Sequence, residues 1–158
     1  MSRGDFRAAF ARLATNVAVI TVAGPHGCTA NAWAEAHDPP LILVTMRREG
    51  QTYKSLREAR CFAVNVLAEG QTSVATRFAG PRERRFEGTE IRIADDGLPI
   101  VEEALVSIRC SLAVTHPFGA YDIVVGSVDE VAIRPDGSPL VYADGAFHGL
   151  REPDHAEG

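Results

Sequence analysis

Apolar positions along the chain fall in short blocks separated by Gly, Pro and Asp. Over residues 2–14, Phe6, Phe10 and Leu13 share one face of a predicted helix, and Ser2 with Asp5 has capping-box spacing. NVAVITV (16–22) reads as a strand, AGPHG as a turn, and the segment from Cys28 as its hairpin partner. PPLILVTM (39–46) is almost wholly apolar and predicts a strand buried on both faces. EGQTYKSLREA (49–59) reads as a helix, CFAVNVL (61–67) as a strand, and GQTSVATRFAG (70–80) as a short helix stopped by Gly80 and Pro81. Residues 81–103 form a charged excursion punctuated by Gly and Pro, a length expected of a functional or mobile loop.

ALVSIRCSLAVTH (104–116) and YDIVVGSVDEVAIR (121–134) are long strands joined by PFGA. After PDGS, PLVYA and AFHGL flank Asp144-Gly145, a two-residue hairpin turn. The pattern therefore predicts seven or eight strands, mostly hairpin-connected, with three short helices: a mainly β antiparallel barrel. Residues 1–150 read as one domain and 151–158 as a disordered tail.

Composition narrows the function classes. A formal net charge of −5 argues against a nucleic-acid binder. No segment reaches the ~18 apolar residues of a membrane span, and the first residues lack the apolar run of a signal peptide. Cys28, Cys61 and Cys110 are odd in number and widely spaced, which indicates neither a disulfide framework nor a zinc knuckle. A reduced, cytoplasmic protein is expected.

The common catalytic signatures are missing. There is no P-loop and no GxGxxG after a strand, so a nucleotide must be held by something other than a Rossmann crevice. His26, His37, His116, His148 and His155 do not pair at metal-ligand spacing. Cys28, His116 and Asp122 have the residue types of a nucleophile arrangement. However, Cys28 precedes a strand rather than a helix, and a buried small hydrophobe is the alternative reading.

Three stretches remain. Thr29-Ala30-Asn31-Ala32 is a run of small residues, which lets something approach the backbone closely. In RREGQTY, Arg47 and Arg48 end a strand and Gly50-Gln51-Thr52 opens a helix. Free N–H groups and the helix dipole would favour an anion there; the alternative is that Thr52 merely caps the helix. RFAGPRERRFEG sets Arg77, Arg82, Arg84 and Arg85 around Phe78 and Phe86. Arg with aromatics suits a nucleotide, and a polar loop pinned by its phenylalanines is the alternative.

In this order the stretches resemble the flavin reductase family with the FMN-binding split β-barrel fold, which includes the small reductases of two-component flavin monooxygenases. The matching pieces are FRAAFARLATNVAVITV, GCTAN, DPPLILV, TYKSLREARCFAVNVL, RFAG with RRF, HPFGAYDIVVG and PLVYADGAFHGL, covering nearly the whole chain. The resemblance implies an NAD(P)H-dependent reductase of FMN or FAD. It also implies a homodimer with flavin sites at the subunit interface, and a partner monooxygenase that takes the reduced flavin. By the same resemblance Thr29, Ala30, Asn31 and Ala32 would lie beside the flavin ring, and Arg47, Gly50, Gln51 and Thr52 would meet its phosphate. Phe78, Gly80, Arg85 and Phe86 would lie near its phosphate or adenylate end. His116 and Tyr121 would lie on the nicotinamide side, His116 being otherwise a strand-end residue of a polar turn. No acid or base is needed for hydride transfer between stacked rings, so a missing dyad is expected.

Two departures stand in the same region. Ala34-Glu35-Ala36-His37 replaces a Ser-apolar-Ser run, and Gly50-Gln51 replaces a Ser-Arg pair. Glu35 beside the ring would disfavour an anionic reduced flavin; alternatively it faces solvent while Trp33 packs. Arg47 and Arg48 could compensate the charge lost from the phosphate cradle. The alternative function is a split-barrel dimer that keeps a flavin or another planar ligand without turnover.

Overall fold

The computed structural model describes residues 1–30 and 33–151. The first helix forms where its cap is written: α1 (Arg3–Ala11) begins at Ser2, whose hydroxyl accepts from the Asp5 N–H at 3.1 Å while Asp5 accepts from the Ser2 N–H at 3.0 Å. Among the described residues nothing covers its apolar stripe, and Phe6 and Phe10 stack on one another in the open. The chain continues through β1 (Thr15–Asn16), β2 (Ala18–Val22), β3 (His26–Ala30), β4 (Trp33–His37), β5 (Pro40–Arg47) and α2 (Gln51–Ala59). Next come β6 (Cys61–Val66), α3 (Thr72–Ala79), β7 (Ile91–Ile93) and β8 (Pro99–Val101). The long pair β9 (Val106–Phe118) and β10 (Tyr121–Ile133) precedes the closing hairpin β11 (Val141–Ala143) and β12 (Ala146–His148).

Seven strands form one antiparallel sheet in the order β3-β2-β6-β9-β10-β5-β4, curled into a half-barrel. The mainly β antiparallel class read from the pattern is the observed one, and the half-barrel accords with the split barrel that the resemblance implied. The concave side encloses a core of Ile20, Val44, Leu56, Phe62, Val64 and Val124, which α2 covers by packing on β2 and β3. A second core lies outside the curl, where Val17, Val19, Leu67, Phe78 and Leu140 pack beneath α3 and the β11–β12 hairpin. Strand β2 separates the two cores and is buried along its whole length, which accounts for its unbroken apolar run. Gly126 sits at a register shift in β10, where a Cβ would come within 2.5 Å of the Phe62 ring.

Two expectations need correction. β5 is not buried on both faces: Ile42, Val44 and Met46 enter the core, Leu41 and Leu43 are half-buried, and Thr45 is exposed. Among the described residues, only one side of this part of the sheet has a protein layer against it. Residues 81–103 are not a free loop either. Strands β7 and β8 pair around Gly97 (φ 81°), and Leu98 and Ile100 are buried. Asn65 on β6 secures them, accepting from the Val101 N–H at 3.0 Å while its amide donates to the Val19 carbonyl and the Thr21 hydroxyl. Thr21 in turn donates to the Pro99 carbonyl. A fully buried polar network of this kind satisfies the backbone of both segments, which removes the freedom expected of an excursion.

Candidate functional site

The end of β5 and the start of α2 build the floor of a cleft of about 330 Å³. A tight turn makes the junction, with the Gly50 N–H donating to the Arg47 carbonyl at 3.0 Å. Gly50 is the N-cap and supplies no side-chain acceptor, so the first N–H groups of α2 have no cap from within the helix. Thr52 does not cap it. It is buried inside the first turn with its hydroxyl toward the Cys28 thiol, and Gln51 bonds back to the Ser55 hydroxyl at 3.2 Å. Cys28 and Thr29 of β3 form the facing wall, and Arg82, Arg85 and Tyr121 complete the rim.

Arg85 is the most constrained cation of the rim. Its Nε donates to the Gly80 carbonyl at 3.0 Å and its Nη1 to the Gly27 carbonyl at 2.7 Å, so one guanidinium ties β3 to the loop after α3. Gly27 is also where β3 packs closely on α3, since a Cβ there would meet the Phe78 ring at 2.6 Å. Arg47 lies over the Tyr121 ring, 5.6 Å from its centroid. Arg48 cannot share the work of Arg47: it turns the other way into an ion pair with Asp122 at 2.9 Å. The Tyr53 hydroxyl also donates to Asp122, and this bond, with Arg48, holds the Asp122 carboxyl below the ordinary range.

These contacts dispose of the nucleophile reading. Asp122 is committed to Tyr53 and Arg48, and strand alternation puts His116, paired with Ile123, on the opposite face of the sheet. Burial raises the Cys28 thiol, and the nearby Arg85 charge and Thr52 hydroxyl offset that only in part. A neutral thiol in that position is a wall and not a nucleophile.

The remaining predicted residues divide. Arg47, Gly50, Gln51, Thr52, Thr29 and Arg85 converge on the one cleft although they come from four segments. The Thr29 hydroxyl is committed to the Ala75 carbonyl at 2.8 Å, and the Ala30 side chain packs on the inner core. Asn31 and Ala32 lie outside the described residues. Neither Phe78 nor Phe86 lines this cleft: Phe78 is fully buried in the outer core, and half-buried Phe86 packs against it edge-to-face at 4.9 Å. Gly80 does not line the cleft: its carbonyl accepts from Arg85, and it borders a second cavity, of about 440 Å³, with Ala79, Tyr142 and Phe147. Tyr121 is at the cleft, whereas His116 stands exposed farther along the β9–β10 hairpin. Glu35 is exposed on the edge strand while Trp33 packs on the inner core, the second of the two readings given for that segment. Thr45, Met46 and Arg82 also line the cleft. Arg82 stood in the noted arginine run, but nothing in the order of residues separates it from Arg77, which instead reaches toward the Thr89 hydroxyl.

The cleft thus joins a helix start without a side-chain cap to three arginines, beside a strand that carries small residues, an arrangement whose chemistry suits an anion. Among the described residues, no helix is long and apolar enough to cross a membrane. Comparison with known proteins gives a consistent picture. Residues 10–151 match the flavin reductase like domain. The FMN reductase (NADH) SmoA of Agrobacterium fabrum is 35% identical over 90% of this chain and 83% of its own. The NADH:FAD oxidoreductase SgcE6 of Streptomyces globisporus, solved in complex with NAD and FAD fragments, superposes with a TM-score of 0.90 at 27% identity over 98% of this chain and 95% of its own. A nitrilotriacetate monooxygenase component B homologue from Mycobacterium thermoresistibile superposes at 0.89 with 28% identity, over 94% and 87% of the two chains.

Proposed function

The chain belongs to the flavin reductase like domain family, and from that premise we propose that it is an NAD(P)H:flavin oxidoreductase whose flavin phosphate sits in the Arg47–Thr52 cleft. The observation that carries the assignment is the convergence of the uncapped α2 start with Arg47, Arg82 and Arg85 on a single cleft. Fixed N–H donors and guanidinium groups are the partners a phosphate requires. The flavin, FMN or FAD, supplies the hydride acceptor and a reduced nicotinamide the donor, with transfer between rings in contact.

This chain's residues have three tasks in that reading. The α2 start and the three arginines bind the anionic end. Cys28 and Thr29 wall the cleft without bulk, and Tyr121 orients what enters beside Arg47. No proton donor is required of the protein, which agrees with the neutral Cys28 and the occupied Asp122. Reduced flavin then leaves for a separate monooxygenase, the role indicated by the two-component relatives.

The protein works as a homodimer in this reading. Leu41 and Leu43 of β5, Val125 and Ile123 of β10 and Val114 of β9 share the convex face of the sheet, which no layer of the described residues covers. An apolar sheet face of that extent needs a partner, and a second copy presents the matching surface. Three free cysteines suit the reducing cytoplasm.

The test is direct. NADH is added to the protein with free FMN or FAD, and absorbance at the nicotinamide band is followed. Catalytic loss that saturates with flavin is expected; tightly held flavin without turnover would instead mark a binding protein. Thr52→Val keeps the shape of the buried site but removes its hydroxyl. It is expected to raise the flavin Kd roughly 5- to 10-fold, on the order of 1 kcal/mol, by loss of one hydrogen bond. An unchanged Kd would take Thr52 out of the site.

A further inference from the structure

Behind the cleft lies a second set of polar side chains, turned into the protomer. Asp122 of β10 is buried, and its carboxylate accepts from two donors: Nε of Arg48 at 2.9 Å and the hydroxyl of Tyr53, which is itself buried. Burial and the facing carboxylate raise the Tyr53 hydroxyl, so it stays protonated and keeps donating. The Arg48 fork reaches on to the Tyr121 carbonyl at 3.4 Å, and the Arg48 N–H donates to the Ala120 carbonyl at 3.1 Å. Arg57, one turn beyond Tyr53 on α2, adds a further positive charge near the same carboxylate. Stability alone does not require such a set, because replacing a buried ionic group by apolar residues of like volume is often neutral.

Each member of the set follows a cleft residue in the chain. Arg48 follows Arg47, Tyr53 follows Thr52 and Asp122 follows Tyr121. The three pairs belong to the three places that meet at the cleft floor: the end of β5, the start of α2 and the start of β10. Successive strand residues face opposite sides of a sheet, and successive helix residues are about 100° apart. Fixing one residue of each pair on the inside therefore fixes the direction of the other at the cleft. Tyr53 borders the cleft too, but its hydroxyl is turned to Asp122. We propose that Tyr53, Asp122 and Arg48 form a positioning brace that holds Thr52, Tyr121 and Arg47 at the spacing a flavin phosphate needs. The inference rests on the reading of the chain as a flavin reductase with its phosphate in this cleft. A site built of directional donors depends on the side chains that lock them in place, and misplacement by about 1 Å is enough to weaken it.

The experiment compares FMN with riboflavin, which has the same ring and lacks the phosphate, by fluorescence titration of the full chain. Tyr53→Phe keeps the ring in the core and removes the hydroxyl, and Asp122→Asn keeps the shape and removes the charge. In each variant the FMN Kd is expected to rise roughly 3- to 10-fold, the scale of one hydrogen bond, while the riboflavin Kd stays where it was. The KM for FMN should follow its Kd, with kcat at saturating FMN retained. The double variant should lose little more than the weaker-binding single one, since both changes break one network. A thermal melt of each variant registers the cost to the fold, and Tyr53→Phe, the milder change, decides the matter where Asp122→Asn unfolds. FMN and riboflavin Kd values that rise together, an FMN Kd that does not move, or effects that add in the double variant would each overturn the proposal. A wild-type protein that binds FMN no more tightly than riboflavin overturns the placing of the phosphate in this cleft, and the task of the brace with it.

Discussion

Arg85→Ala is expected to raise the flavin Kd by roughly 10- to 100-fold, about 1.5–3 kcal/mol, the range of a hydrogen bond to a charged group. The side chain does two things at once. It places a cation on the rim of the cleft, and through the Gly27 and Gly80 carbonyls it holds β3 against the loop that also carries Arg82. Arg85→Lys tests which matters more. A lysine keeps the charge, but its single ammonium cannot reproduce a planar fork that reaches two carbonyls on different segments. If the fork is what shapes the cleft, the lysine variant binds flavin nearly as weakly as the alanine one. If charge alone matters, it recovers most of the affinity. The check is a fluorescence titration of FMN into each variant, alongside a thermal melt to register the loss of the staple. A flavin Kd unmoved by Arg85→Ala would make the residue purely structural and would remove the main cation from the proposed site.

Much of the fold could be read ahead because its signals are local. The Ser2–Asp5 cap, the Asp144-Gly145 turn and the long alternating strands on either side of PFGA each act within a few residues. The order of residues 81–103 is not legible in the sequence because its two strands are only three residues each and depend on Asn65, remote in sequence. No local pattern announces that a buried amide will meet them. The site divides along the same line. Arg47, Gly50, Gln51 and Thr52 are contiguous at a strand-to-helix junction, and their common cleft followed from that junction. Arg85 and Phe78 stand in one Arg- and Phe-containing stretch, and only tertiary packing sends the first to the cleft and the second into the outer core. Arg47 and Arg48 are adjacent and opposite for a simpler reason, since successive strand-end side chains face opposite sides of a sheet.

The apolar run of β5 poses the same problem at the level of assembly, because composition does not distinguish a side chain that meets its own core from one that meets another copy. Ile42, Val44 and Met46 do the first. Leu43 on the opposite face lies beside Val125, which is flanked in turn by Val114, and these three half-covered or exposed side chains form the middle of the open face. Val125→Arg should therefore leave the protomer folded, since the new side chain points away from both cores. Burying that charge against a second apolar face would cost several kcal/mol, more than a dimer of modest affinity can absorb. The expected result is a monomer by light scattering with an unchanged far-ultraviolet circular dichroism spectrum. If the flavin site is completed by the partner, flavin binding should weaken in the same variant and recover as protein concentration is raised. A Val125→Arg protein that stays dimeric would place the contact elsewhere and leave the apolar character of this face without an account; one that is monomeric yet binds flavin normally would make each protomer's cleft self-sufficient.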